Sequence, residues 1–260
     1  MITFSIVTIT YNAEGVLKRT LDSVLSQSYP QVEHIIVDGA SRDATVSIAE
    51  DYQAQSAKLA PEHVVKIQSE PDKGLYDAMN KGLKRATGDY ILFLNAGDCF
   101  PKADTLACVA DKAMLCADGP LPAVLYGDTD LVDNEGQFIG HRRLQPPANL
   151  SWRSFRHGML VCHQAFYARL DIAQQNPYDT RYRYSADVDW CIRVMKQAAQ
   201  QGLSLVRVPA VVALYQQEGQ TTIHHRDSLK ERFAVMRTHY GLASTVLMHA
   251  WFVLRKLIKR

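Results

Sequence analysis

Ile2-Thr3-Phe4-Ser5-Ile6-Val7-Thr8-Ile9-Thr10 opens the chain and decides its fold. The stretch is rich in β-branched residues, whose stiff side chains favour extended backbone, and it reads as a buried strand. Leu17, Leu21, Val24 and Leu25 then recur at helical spacing. A second strand, Val32 to Val37, runs into Asp38-Gly39-Ala40-Ser41, where Ser41 is placed to cap a helix starting near Asp43. The unit repeats: strand Val64 to Ile67, helix Tyr76 to Ala86, and strand Tyr90 to Leu94, which stops at Asn95-Ala96-Gly97-Asp98. Alternation of this kind predicts an α/β fold, a Rossmann-like, mainly parallel sheet flanked by helices, with ligands bound at the carboxyl ends of the strands.

Further along, the pattern turns mixed. A helix near Asp104 to Cys116 precedes a short strand, Ala123 to Tyr126, and a hairpin turning at Asn134-Glu135-Gly136. Arg156 to Tyr167 includes an apolar strand, Asp187 to Gln200 reads as a helix, Ser204 to Leu214 as a strand, and the chain from Ser228 onward as helical. The expected division is residues 1–225 as one body, with a ligand-binding half over 1–98 and a second half over 99–225, followed by a helical extension over 226–260.

Charge separates these parts. The net formal charge is +2, too small for generic nucleic-acid binding, so nucleic acid is not an expected partner. Residues 226–260 nevertheless carry eight Lys/Arg against two Asp/Glu, which leaves the first 225 residues at −4. Within that extension Trp251 and Phe252 share an apolar face beside Arg255, Lys256, Lys259 and Arg260, the pattern of a helix lying in the plane of an anionic leaflet. The longest apolar stretch, Leu242 to Leu254, is shorter than the ~20 residues a spanning helix needs. Five cysteines without a CxxC pair point to neither a disulfide framework nor a thiolate zinc site, and no secretory leader is legible. A cytoplasmic protein, peripheral on the inner face of the plasma membrane, is the expectation.

The first loop, Thr10-Tyr11-Asn12-Ala13-Glu14-Gly15, lacks the closely spaced glycines that let backbone approach a pyrophosphate, and no GxxxxGK[ST] run occurs, which argues against dinucleotide and P-loop sites. Tyr11 instead offers a face for stacking on a base. Asp38, at a strand end, can accept from a base imide or a ribose hydroxyl. Asp72 and Lys73 stand at the next strand end, and Asp98 at a fourth. A hard divalent cation shared with a diphosphate needs only one or two protein oxygens, since phosphate and water fill the rest of its shell.

Ser5-Ile6-Val7-Thr8-Ile9-Thr10-Tyr11-Asn12, Ile35-Ile36-Val37-Asp38-Gly39-Ala40-Ser41-Arg42-Asp43 and Gly88-Asp89-Tyr90 with Leu94-Asn95-Ala96-Gly97-Asp98 resemble, in order and spacing, the nucleotide-sugar-binding half of family 2 glycosyltransferases of the GT-A fold. The run from Ser69 to Gly82, with His163-Gln164-Ala165, is similar more narrowly to the bacterial exopolysaccharide branch that includes the colanic acid transferase. The resemblance spans about residues 3–225. It implies an inverting, metal-dependent transfer of a sugar from a nucleoside-diphosphate sugar, UDP foremost, to a polyprenyl-diphosphate-linked or oligosaccharide acceptor. It implies that Thr8, Tyr11 and Asp38 hold the nucleoside, that Asp72 and Lys73 border the base or phosphate pocket, and that Asp98 binds Mg²⁺ or Mn²⁺. Many relatives carry Asp-X-Asp-Asp at that strand end; here Asn95 and Gly97 replace two carboxylates, and Asn95 stands where the ribose is usually met.

By the same resemblance Asp187, in Tyr184-Ser185-Ala186-Asp187-Val188-Asp189-Trp190, matches the catalytic base, with Asp189 its rival. A carboxylate at a helix N-terminus is stabilised as the anion, as a base near an acceptor hydroxyl must be. His163 and Gln164 are implied to sit by the donor sugar or acceptor. Residues 216–222 look like a loop that closes over the diphosphate, and His224 is a candidate to complete the metal shell. A non-catalytic nucleotide-sugar-binding protein and a sugar-phosphate nucleotidyltransferase are the alternatives, the second disfavoured because Tyr11-Asn12-Ala13-Glu14 is neither Gly-rich nor basic.

Overall fold

A computed structural model describes residues 1–116, 119–217 and 225–258. Strand β1 (Phe4–Thr10) is buried along its whole length and lies at the centre of the first half. Parallel neighbours flank it: β2 (Val32–Asp38) on one side, then β3 (Val64–Ser69), and β4 (Tyr90–Phe93) on the other. The crossovers are α1 (Leu17–Leu25), α2 (Thr45–Leu59) and α3 (Leu75–Arg85). Register sets Thr10 opposite Asp38 and Asp38 opposite Ser69, so three strand ends finish level on one edge.

Beyond β4 the sheet changes direction. After α4 (Thr105–Leu115), β5 (Val124–Val132) forms a hairpin with β6 (Phe138–His141), and β7 (Phe166–Arg169) inserts antiparallel between β4 and β5. The strand order is β3-β2-β1-β4-β7-β5-β6, and β8 (Leu205–Gln216) pairs parallel with β5. Helices α5 (Leu170–Gln174) and α6 (Ala186–Gln200) pack on this half, and α7 (His225–Tyr240) and α8 (Leu242–Ile258) follow it. The α/β arrangement expected from the sequence, a mainly parallel sheet between helices with a mixed second half, is the observed one.

Three local expectations are corrected. Helix α2 begins at Thr45 without a side-chain cap, because the Ser41 hydroxyl is held by Asp38 instead. Most of 156–167 is not strand: 3₁₀ turns at Trp152–His157 and His163–Ala165 leave only Phe166 onward extended. The C-terminal helix is broken at Gly241, whose φ of 79° lies in the left-handed region.

The core joins the two halves through an aromatic column. Trp190 of α6 is fully buried and stacks on Tyr178 at 5.0 Å, while Phe93 of β4 meets both rings edge-on. Tyr76 of α3 stacks on the other side of Tyr178 at 5.5 Å. Offset and edge-to-face pairs of this kind fix ring positions beyond what area burial provides, and they aim the Tyr76 hydroxyl at the N-terminus of α6.

Candidate active site

The loops at the level strand ends are stitched together. Asn12 N–H donates to Ser41 Oγ (2.8 Å), Arg42 N–H to Asn12 Oδ1 (2.9 Å), Ala13 N–H to Thr45 Oγ1 (2.8 Å), and Ala44 N–H to Glu14 Oε2 (2.9 Å). Asn12 and Ala40 are both left-handed, at φ 47° and 62°. Non-glycine residues hold that conformation only where their surroundings over-determine it, as at binding loops. Above this platform Tyr11 is 61% exposed. Its ring and the Asp72 carboxylate both close on Gly39, where an added Cβ would lie 2.5 Å from Asp72 Oδ2 and 3.2 Å from Tyr11. The structure therefore gathers Tyr11, Gly39 and Asp72 at one edge, and Lys73 stands exposed beside them.

Two residues expected at the nucleoside lie inside the fold. Thr8 is fully buried; its hydroxyl donates to the Leu94 carbonyl at 2.8 Å and meets His34 Nε2 at 2.9 Å. Asp38 is 1% exposed, and its carboxylate accepts from Ser41 N–H (2.9 Å), Ser41 Oγ and Ser69 Oγ (2.6 Å). Both shape the edge from behind.

At the end of β4 the turn 95–98 buries Asp98. One carboxylate oxygen accepts from Gln164 Nε2 (2.8 Å), the other from the Gln216 N–H (3.0 Å) at the end of β8. Burial pushes this carboxyl up to about 7, against the pull of the Gln164, Gln216 and Asn95 hydrogen bonds and nearby Arg19. Gly97 is required here: its φ is +100°, and a Cβ would fall on the Gln216 amide. Arg19 of α1 ties the turn to β8, donating to the Gly97 carbonyl (2.7 Å) and to Gln216 Oε1 (2.9 Å).

Among the described residues no group of three or more His, Cys, Asp or Glu side chains could enclose a metal ion. What the turn does offer is a carboxylate and, in Asn95, a buried side-chain oxygen with no hydrogen-bond partner among the described residues. That all-oxygen set fits a hard cation whose remaining ligands come from phosphate and water. His224 lies outside the described residues, as do residues 218–222 of the loop expected to close on the diphosphate.

A single 3₁₀ turn links this acidic turn to the expected base. Gln164 donates to Asp98, and the adjacent His163 places Nδ1 3.8 Å from Asp187 Oδ2. His163 is 8% exposed, its Nε2 has no hydrogen-bond partner among the described residues, and burial holds its pKa below the usual imidazole value, opposed by Asp187. Asp187 sits in the first turn of α6 and accepts at Oδ1 from the Tyr76 hydroxyl at 3.1 Å. Burial first, then the Asp187 charge, raises the Tyr76 phenol well above its usual range, so Tyr76 stays a donor. The loop leading into α6 is clasped by Glu231 of α7, which accepts from the N–H groups of Arg183, Tyr184 and Ser185 at 2.7–3.1 Å.

Asp189 is not brought to the site. Its carboxylate is held by Arg193 Nε (2.7 Å) and His239 Nε2 (2.7 Å). Burial pushes this group up, but His239 and Arg193 outweigh it and hold the carboxyl below its usual range. Asp189 therefore anchors α6 to α7, while Asp187 of the same helix turn meets Tyr76 and His163. Tyr76 and the Gln216 N–H were missed as site groups in the sequence, although both lie within quoted motifs; Arg19 carries no sequence signal at all.

A mainly parallel sheet between helices that turns mixed in its second half is the fold of GT-A glycosyltransferases. The chain belongs to Glycosyl transferase family 2, whose family profile matches residues 5–169. A PGL/p-HBAD biosynthesis glycosyltransferase of Mycobacterium bovis (strain BCG / Pasteur 1173P2) is 35% identical over 252 residues, covering 95% of this chain and 90% of the relative. Among solved structures, S. aureus TarS in complex with UDP-GlcNAc superimposes with a TM-score of 0.68 at 18% identity, over 91% of this chain and 65% of that one. The mannosyltransferase PcManGT of Pyrobaculum calidifontis, in complex with GDP-Man and Mn2+, gives 0.62 at 20% identity, over 96% and 68%. At these identities the structural likeness is one of fold.

Proposed function

We propose that this family 2 enzyme is an inverting glycosyltransferase of bacterial surface glycan or glycolipid assembly, taking its sugar from a UDP-sugar. The observation that carries the reading is the 163–164 turn, which holds Asp98 at one side chain and approaches Asp187 with the next, so that a donor diphosphate and an acceptor hydroxyl meet in one cleft. Tyr11 stacks on the base, with Asp72 and Lys73 at its border; Asp38 and Thr8 keep the strand ends in register. Asp187 accepts the proton of the acceptor hydroxyl as that oxygen attacks the anomeric carbon from the side opposite the leaving nucleoside diphosphate, whose bond to carbon breaks in the same displacement. Tyr76 orients the carboxylate throughout. Asp98 and Asn95 would hold Mg²⁺ or Mn²⁺, which when bound would supply charge that offsets that of the departing diphosphate.

A nucleotide-sugar donor is in keeping with the UDP-GlcNAc and GDP-Man complexes of the fold neighbours, and the UDP donor and the lipid-linked glycan acceptor follow the likeness of the strand-end motifs and of residues 69–82 to exopolysaccharide enzymes. On the same reading residues 1–225 are the transferase body, 1–98 holding the donor and 99–225 the acceptor, and 226–260 bring the enzyme to the inner leaflet. No described helix is long and apolar enough to cross a membrane. Helix α8 instead leaves Leu242, Val246, Leu247, Trp251 and Leu254 exposed, as a helix lying in the interface would. A thermal-shift panel of UDP, GDP, dTDP and CMP with and without Mn²⁺ tests the donor assignment. UDP should give the largest shift, enhanced by Mn²⁺; a folded protein that responds to none of the four would overturn it.

A further inference from the structure

A cavity of about 380 Å³ opens beside the 3₁₀ helix 152–157. Arg153, Arg156 and His157 line it together with Pro147, Ser151, Ser154 and Leu160, and no acidic residue among the described ones does. Arg153 lies over the Trp152 ring (4.5 Å) and Arg156 over Tyr240 (5.6 Å), contacts that orient each guanidinium without neutralising it. The Arg156 Nε is buried and has no hydrogen-bond partner among the described residues. Leaving such a donor unpaired costs free energy that a bound anion would recover.

Position adds to charge. Leu160 lines the cavity and His163, which approaches Asp187, is three residues on, so at most about 11 Å of backbone separates the two. Arg142 fixes this segment, donating to the carbonyls of Leu144 (3.0 Å), Leu160 (3.3 Å) and Met159 (2.7 Å). On the other side Tyr240 stacks on Trp152 and donates to its carbonyl (2.5 Å). One residue past the Gly241 break, α8 begins with its exposed apolar stripe. A basic cavity is thus set between the cleft and an apolar helix face.

We propose that this cavity is an anion site for the phosphate or diphosphate of an amphiphilic lipid whose chain lies along the exposed face of α8. The proposal deepens the lipid-linked acceptor reading and rests on it. Its chemistry, a doubly or triply charged phosphate between two arginines and a histidine above an apolar stripe, matches no soluble sugar nucleotide, which has no chain to cover the helix.

The test uses the full chain saturated with UDP, so that the donor pocket is occupied. Inorganic pyrophosphate should then raise the melting temperature further, and Arg153→Ala/Arg156→Ala should abolish that increment while retaining the UDP shift. Flotation with phosphatidylcholine vesicles, with and without phosphatidic acid, should show a preference for the acidic vesicles that falls about tenfold in the variant. Arg153→Gln/His157→Gln, at two exposed positions, serves if the first variant does not fold. A pyrophosphate increment absent from the wild type or undiminished in the variants would refute the anion site. An increment lost without change in vesicle affinity would assign it to a soluble phosphate and refute the lipid. Failure of UDP to shift any form would count against the donor reading alone.

Discussion

Replacing Asp98 by Asn should remove a pH dependence of stability that the fold builds into this one carboxyl. Asp98 is 3% exposed, and burial pushes it up to about 7 from an ordinary value of 3.8. At 1.36 kcal/mol per pKa unit, ionising it in the folded protein costs about 4 kcal/mol relative to the unfolded chain. The folded state keeps its proton over a range where the unfolded chain has lost it. Stability therefore falls as pH rises from about 4 to about 7 and is flat above; between pH 5 and 8 the loss is about 2.5 kcal/mol. Asn cannot titrate, and it keeps an oxygen for Gln164 or Gln216 while setting an N–H₂ against the other donor. Its absolute stability thus carries a separate penalty of about 1–3 kcal/mol that does not vary with pH. Urea unfolding of both proteins at pH 5, 6, 7 and 8, without nucleotide or divalent cation, isolates the effect as the pH dependence of their difference. A difference constant within about 0.5 kcal/mol across that range would refute the claim that Asp98 is desolvated.

The remaining predictions concern the base, its anchor and the tail. Tyr76→Phe removes the hydroxyl that donates to Asp187 at 3.1 Å; kcat should fall about 10-fold, the worth of a hydrogen bond to a charged group, with the KM for donor unchanged, and a change in donor KM alone would place Tyr76 elsewhere in the mechanism. Asp189→Asn leaves Arg193 and His239 without their carboxylate, so unfolding free energy should drop by about 3 kcal/mol while donor binding persists; an unaltered melting temperature would contradict the anchoring role. Leu247→Glu/Trp251→Glu places charges at positions 70% and 49% exposed, so the protein should remain folded and lose vesicle binding; undiminished flotation would remove α8 from the membrane contact.

Much of the first half was legible because its signals are local. Phe4–Thr10 is a run of apolar and β-branched residues, and Val32–Asp38 carries Ile35-Ile36-Val37 before a polar turn, so both read as buried strands. Asp187 was legible as a carboxylate in the first turn of a helix. What escaped the sequence depends on long-range contact. Asp38 ends β2 and Thr8 lies two residues before the end of β1, and only the positions of His34, Ser41 and Ser69 show that their side chains are held inside. Asp189 is two residues from Asp187, but α7 supplies the His239 that closes on it from 50 positions away. The stretch 156–167 is apolar enough for a strand, yet Gly158, at φ 113°, and the Cys162–Gln164 contact bend it into turns. Arg19 reaches 197 positions along the chain to Gln216, a pairing no local pattern encodes.

The most direct test of the central claim is the stereochemistry of the slow hydrolysis of an α-linked UDP-sugar, with water as acceptor, followed by proton NMR before mutarotation. An inverting displacement assisted by Asp187 predicts that the β anomer appears first and that Asp187→Asn still gives the UDP thermal shift but releases no sugar. First appearance of the α anomer, or release undiminished in Asp187→Asn, would contradict the account.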